Sequence, residues 1–198
     1  MSDDSSDDWA TTSSSSADAP LVQFARFEDG QVNFFHGKIE ETQYIAISHV
    51  WGMTEWLQMR NMNGEKLISR SKAKFVENRL EALVGNTAFW MDTLTVNQRD
   101  QEEVIAIVQL IPSIFRNAIR TIALRENDGF YTCCMEALSG FQDWGDFQRK
   151  WGRHIQDTPS HQCHIRTESY LQRLWTLQEC LLSHTIQFVT PKPSMVLF

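Results

Sequence analysis

Trp175 and Glu179 stand four residues apart in Ser169–Leu182, a stretch with Leu171, Leu174, Trp175, Gln178 and Leu182 along one helical side. Positions i and i+4 share a helix face, so the indole can lie beside the carboxylate. An apolar neighbour partly desolvates a carboxylate, which raises its pKa and strengthens its electrostatic interactions. Other polar groups fall where apolar runs end. Ser48 and His49 close the run Tyr44–Val50 (YIAISHV), ahead of Trp51 and Gly52, and Asp92 follows Ala88–Met91 (AFWM). His49 would add a titrating group to any site that it lines.

Each of these residues also has a plainer reading. Glu179 serves equally as a solvated helix carboxylate or as a partner for Arg173. Trp51, Trp90 and Trp175 suit a core, because aromatics dominate core burial. Asp92 at a strand end can cap the backbone N–H groups of the following loop. Asn97 and Gln98 fit a turn ahead of Asp100 as well as a ligand contact. His161-Gln162-Cys163-His164 lacks the spacing of a zinc module and has no second ligand pair. Cys133-Cys134 has no general base that the sequence can place beside it. Neither a GxGxxG nor a P-loop sequence is present, so dinucleotide binding would not use the glycine fingerprint.

The surrounding pattern is one of short strands alternating with helices. Leu21–Phe27 and Val32–Phe35 flank Asp29-Gly30, a favoured two-residue turn, and predict a short N-terminal β-hairpin. Tyr44–Val50, Ala88–Met91, Thr121–Leu124 and Thr185–Val189 read as strands. Ser71–Val84 carries Ala73, Val76, Leu80 and Leu83 at helical spacing, with Gly85 as its C′ residue. Asp100 and Glu103 form an Asp-started capping box for a helix with Val104, Ile107, Val108, Ile111, Phe115 and Ala118 on one face. Pro112 should kink that helix or end its first half. A further helix is expected within about 133–150 and a loop around Pro159. Such alternation predicts an α/β fold with a mostly parallel sheet flanked by helices. Ligands of such sheets settle at the carboxyl ends of the strands, where Ser48, His49 and Asp92 stand.

Composition narrows the remaining choices. The 198-residue chain carries −7, of which Asp3, Asp4, Asp7, Asp8 and Asp18 supply −5, leaving the body near neutral. That balance argues against a protein holding nucleic acid by general electrostatic attraction. No run approaches the ~20 apolar residues of a membrane span. The acidic, serine-rich start is the opposite of a secretory leader, and four cysteines without framework spacing read as reduced thiols of a cytoplasmic protein. Residues 1–19 are expected to be a disordered tail and 20–198 a single domain, with seven tryptophans and twelve phenylalanines to pack it.

Three segments, Ser48-His49-Val50-Trp51-Gly52, Phe89–Gln98 (FWMDTLTVNQ) and Arg173–Glu179 (RLWTLQE), taken in this order, resemble the heterokaryon-incompatibility (HET) domain family of fungi. Its hallmarks are a strand ending S-Y-V-W-G, a segment W-I-D-x-L-C-I-N-Q and a helix with R-x-W-T-x-Q-E. The resemblance covers about residues 40–190. His49 stands at the usual Tyr and Thr95 at the usual Cys. HET domains are similar in architecture to Toll/interleukin-1 receptor (TIR) domains, so the resemblance implies a TIR-like (flavodoxin-like) fold for 20–198. Many TIR domains hydrolyse NAD+ through one glutamate in W-C-x-x-E, and Trp175–Glu179 reproduces that spacing with Thr176 for Cys. The resemblance therefore nominates Glu179 as the catalytic carboxylate. Ser48, His49, Trp51, Gly52, Asp92, Asn97, Arg173 and Trp175 would form the substrate pocket. It implies NAD+ as substrate without a bound cofactor or metal, self-association through the domain, and a role in non-self recognition and programmed cell death. The competing class is a non-catalytic module acting by self-association.

Overall fold

The computed structural model describes residues 20–125, 144–157 and 174–189. The hairpin forms from β1 (Leu21–Glu28) and β2 (Gln31–Lys38), in register across the Asp29-Gly30 turn. Both turn residues have positive φ, 51° and 73°, the geometry that Asn/Asp-Gly pairs favour in two-residue hairpin loops. Next come β3 (Tyr44–His49) and a small second hairpin of β4 (Glu55–Gln58) and β5 (Glu65–Ile68). The helical run α1 starts as Arg70–Phe75, passes through a π-helical turn at Val76–Leu80 and ends as Glu81–Val84. Gly85 terminates it with φ 58°.

Strand β6 (Ala88–Trp90) leads through Met91 into the short helix α2 (Asp92–Thr95), and α3 (Gln101–Asn117) then returns to β7 (Arg120–Leu124). The later described elements are α4 (Trp144–Asp157), α5 (Leu174–Leu182) and β8 (Ile186–Val189). The main sheet has six strands in the order β2-β1-β6-β3-β7-β8, and β6, β3, β7 and β8 run parallel. Numbered along the chain, the parallel strands lie 2-1-3-4. The winding therefore reverses at β3, between β6 on one side and β7 on the other. β1 joins β6 antiparallel and carries β2 to the edge.

Strand β3 is buried on both faces, as a central parallel strand should be. Ile45 and Ile47 pack with α1 residues Phe75, Val76 and Leu80 on one face. Tyr44 and Ala46 pack with Ile107, Ile114 and Phe115 of α3 on the other, where Leu182 of α5 also reaches. The Tyr44 hydroxyl donates to the Ile114 carbonyl at 2.6 Å and ties the start of β3 to the end of α3.

Several expectations need adjustment. Asp100 caps α3 through Glu102 and Glu103 N–H, but the Glu103 carboxylate accepts from Asn97 N–H, so the box is not reciprocal. Val108 is 42% exposed; the packed stripe instead runs through Val104, Ile107, Leu110, Ile111, Ile114 and Phe115. Pro112 sits inside an unbroken helix. The carbonyl that loses its donor there belongs to Val108, on the solvent side, where water can replace it. α4 extends to Asp157 rather than stopping near 150. Residues 1–19, 133–143, 169–173 and the loop around Pro159 lie outside the described residues. The β4–β5 hairpin was not anticipated, although Asn63-Gly64 is a turn signal and Gly64 has φ 78°.

Candidate functional site

Ser48 and His49 are the last two residues of β3, and the pleat sends them to opposite faces. Ser48 continues the Tyr44–Ala46 side, toward α3 and α5. Its hydroxyl donates to Glu179 Oε2 on α5 in a very short hydrogen bond. His49 continues the Ile45–Ile47 side and meets Asp92, the first residue of α2, with Nε2 2.7 Å from Oδ1. A carboxylate only accepts, so the ring nitrogen facing Asp92 is the protonated one. His49 Nδ1 is buried without a partner among the described residues.

Asp92 accepts from three donors. Trp51 Nε1 donates to Oδ2 at 2.6 Å, and Thr93 N–H donates to Oδ1 at 2.6 Å. Gln98 Nε2 donates to the Asp92 backbone carbonyl at 3.0 Å and closes the loop after α2. Burial alone would push the Asp92 carboxyl up. The adjacent His49 and the donors from His49, Trp51 and Thr93 outweigh it and hold Asp92 below the ordinary carboxylate range.

Glu179 moves the other way. Burial pushes it up to about 8; the Ser48 hydroxyl opposes that rise, and the negative charge of Asp92 adds to it. Its second oxygen, Oε1, has no hydrogen-bond partner among the described residues. The end of β3 thus joins a carboxylate held toward its charged form by three donors to a protonatable one whose Oε1 is unbonded among the described residues. Environments that push two carboxylates apart in this way mark an acid–base or electrostatic site. The location also fits, since the winding reverses at β3 and ligands of such sheets bind outside the carboxyl ends of the strands at that point.

The structure therefore brings together Ser48, His49, Trp51, Asp92 and Glu179. Gly52 is exposed with φ 65°, where it lets the chain turn away from Trp51. Asn97 is exposed and serves the turn: its Oδ1 accepts from Arg99 N–H, and its own N–H is bound by Glu103. Trp90 belongs to the core, 2% exposed and edge-on to Phe115 at 5.9 Å. Arg173 lies outside the described residues, as do the Trp175 side chain, Cys133-Cys134 and His161–His164. Among the described residues no group of three or more His, Cys, Asp or Glu side chains could hold a metal ion.

Two contributors escaped the sequence reading. Thr93 acts through its backbone N–H, which no side-chain motif reveals. Lys72 is fully buried in α1, with Nζ 3.5 Å from the Trp51 carbonyl and 3.4 Å from Ser69 Oγ. In sequence it looks like any solvated helix lysine, yet it grips the loop from behind while Asp92 holds the Trp51 indole in front.

Comparison with curated proteins and with solved structures found no match. The family model described as "Heterokaryon incompatibility protein (HET)" matches residues 44–179, opening on the first residue of β3 and ending on Glu179. This match spans well over half of the chain and encloses every residue of the site, and the chain accordingly belongs to the heterokaryon-incompatibility family.

Proposed function

We propose that this HET-family chain acts in fungal non-self recognition and programmed cell death by hydrolysing NAD+ at the nicotinamide–ribose bond, with Glu179 as the essential carboxylate. The observation that carries the reading is the Glu179 carboxyl, held through Oε2 by Ser48 and unbonded at Oε1 among the described residues, at the carboxyl end of β3. The 2-1-3-4 order of the parallel strands supports the TIR-like, flavodoxin-like assignment. Action in the cytoplasm belongs to the same reading; no helix among the described residues is long and apolar enough to cross a membrane.

In this mechanism the C1′–N bond breaks and its electron pair goes to the pyridinium nitrogen, so nicotinamide leaves neutral and needs no acid. Positive charge develops on the ribose, and the ionised Glu179 carboxylate stabilises it from within hydrogen-bond reach of the ribose hydroxyls. Water then attacks C1′ and loses a proton, giving ADP-ribose. Free Glu179 is largely protonated at neutral pH, and the positive charge of the bound pyridinium favours its ionised form. Asp92 holds the Trp51 loop in place through the indole N–H.

A second reading, a non-catalytic module acting by self-association, draws on the outer side of α3. Ile105 and Val108 lie there one turn apart, 62% and 42% exposed. One assay separates the two: nicotinamide release from NAD+ by purified protein over a wide concentration range, beside Glu179→Gln. Turnover that climbs faster than protein concentration and vanishes in the variant supports an assembly-dependent hydrolase. No release from folded protein at any concentration leaves the association reading.

A further inference from the structure

We propose a second binding site at the opposite edge of the sheet, a polar hollow that takes a small hydroxylated anion of the sugar-phosphate class. This inference is independent of the reaction proposed above. The hollow has a volume of about 580 Å³, and its walls include Arg26, Glu41, Thr42, Gln43, Asn86 and Thr87. Gln43 directly precedes β3, and Asn86-Thr87 directly precedes β6, so the site lies at the amino ends of the parallel strands. Five residue steps along the strand separate Gln43 from Ser48, roughly 17 Å at the usual rise.

Arg26 is the group that calls for a ligand. Its Nε is buried without a partner among the described residues, and Nη1 comes no closer than 3.9 Å to Glu28. The guanidinium stands 4.9 Å over the Phe35 ring, which fixes its plane, while 43% of the side chain remains exposed. A guanidinium offers five donors and no acceptor, and it matches phosphate or carboxylate oxygens in pairs. Left under-paired beside a concavity, it provides the anion-binding end.

The remaining lining selects what is attached to that anion. Glu41 is already paired with Lys38 at 2.8 Å, while the Arg26–Glu28 ion pair is long at 3.9 Å, which leaves guanidinium N–H groups for one anionic group. The side chains of Thr42, Gln43, Asn86 and Thr87 make no hydrogen bond among the described residues. Two hydroxyls and two amides, each able to donate and accept, suit a ring of hydroxyl groups. The apolar lining amounts to Ala88 and the Phe35 ring that Arg26 already covers, which disfavours an apolar ligand. Gly37 helps shape the wall, since a Cβ there would stand 2.5 Å from Thr42 Oγ1.

The test titrates ribose 5-phosphate into the intact chain, followed by amide NMR shifts and calorimetry, with inorganic phosphate and ribose as separate arms. Saturable shifts are expected at Thr42, Gln43, Asn86 and Thr87. Arg26→Gln should weaken binding roughly tenfold or more, and Thr87→Val, which keeps the side-chain shape, a few-fold. An unchanged amide spectrum away from the hollow shows that each variant is folded, and Thr87→Val carries the test if Arg26→Gln is not. No saturable binding by the wild-type chain overturns the site. So does binding that neither variant weakens. Inorganic phosphate binding as tightly as ribose 5-phosphate overturns the hydroxylated-ligand class.

Discussion

Ser48 and His49 are chain neighbours with nearly identical burial, 1% and 7% exposed, yet the two carboxylates they hold behave in opposite ways. On the α1 side, Asp92 accepts from His49, Trp51 and Thr93 and is held as an anion. On the α5 side, Glu179 receives only the Ser48 hydroxyl among the described residues, and burial keeps its proton on to about pH 8. Burial acts on both groups in the same direction. The electrostatic pull of the adjacent His49 and the number of donors decide the outcome, because each offsets part of the desolvation cost of the charged form. One side of the strand end thus holds a charged, well-paired carboxylate and the other a protonatable one.

Breaking the clamp should have the largest effect on stability. Asp92→Ala strands the Trp51 and His49 ring donors and the Thr93 N–H, and is expected to cost about 3 kcal/mol in urea unfolding. An equal loss from Glu179→Ala would erase the contrast, since removing Glu179 abandons only one donor.

The pH dependence of stability sharpens the same comparison. Glu179 is raised on folding, so its contribution is fully present below the unfolded value of about 4.5 and is lost as pH rises to about 8. The slope approaches about 1.4 kcal/mol per pH unit within that window. Asp92 is depressed on folding, so its contribution is present above the usual aspartate range and is lost as pH falls through and below it. Melting curves from pH 4 to 9 should flatten in Glu179→Gln and keep their full slope in a control such as Glu28→Gln. A slope that survives in Glu179→Gln would assign the proton to another group.

Ser48→Ala is expected to destabilise by about 1 kcal/mol and to move Glu179 further up, because the hydroxyl is the one donor opposing the rise. If turnover is present, kcat/KM rises with pH toward about 8 in the wild type, and that limb shifts to higher pH in Ser48→Ala. The smallest effect is expected from Asp100→Ala. It removes the cap of α3 on the Glu179 side, costs about 1 kcal/mol by thermal melting, and leaves the Asp92 clamp unchanged.

Much of this architecture is written locally. The Asp29-Gly30 pair sets the first hairpin, Gly85 stops α1, and Asp100 starts α3, each through backbone geometry that neighbouring residues determine. The buried runs YIAISH and AFW declare parallel strands because no polar face interrupts them. The polar residues at their ends were legible as a candidate edge, and the spaced motifs carried the family. The role of each carboxylate was less legible. Asp92 read equally well as a loop cap and as a ligand contact; in the fold it accepts from His49, from Trp51 and from the Thr93 N–H of the loop itself.

What the sequence determined by itself was the set of elements, the family, and the short list of polar groups at the strand ends. Only the tertiary structure decided which carboxylate each of two adjacent residues would meet. Ser48 finds Glu179 from 131 positions away and His49 finds Asp92 from 43, distances that no local pattern spans. The same holds for Lys72 behind Trp51 and for Arg26 beside the hollow at the far edge. The period of a strand or helix fixes which way a side chain points. The desolvation and donor count that set its charge come from packing among distant segments, and exist only once those segments have folded together.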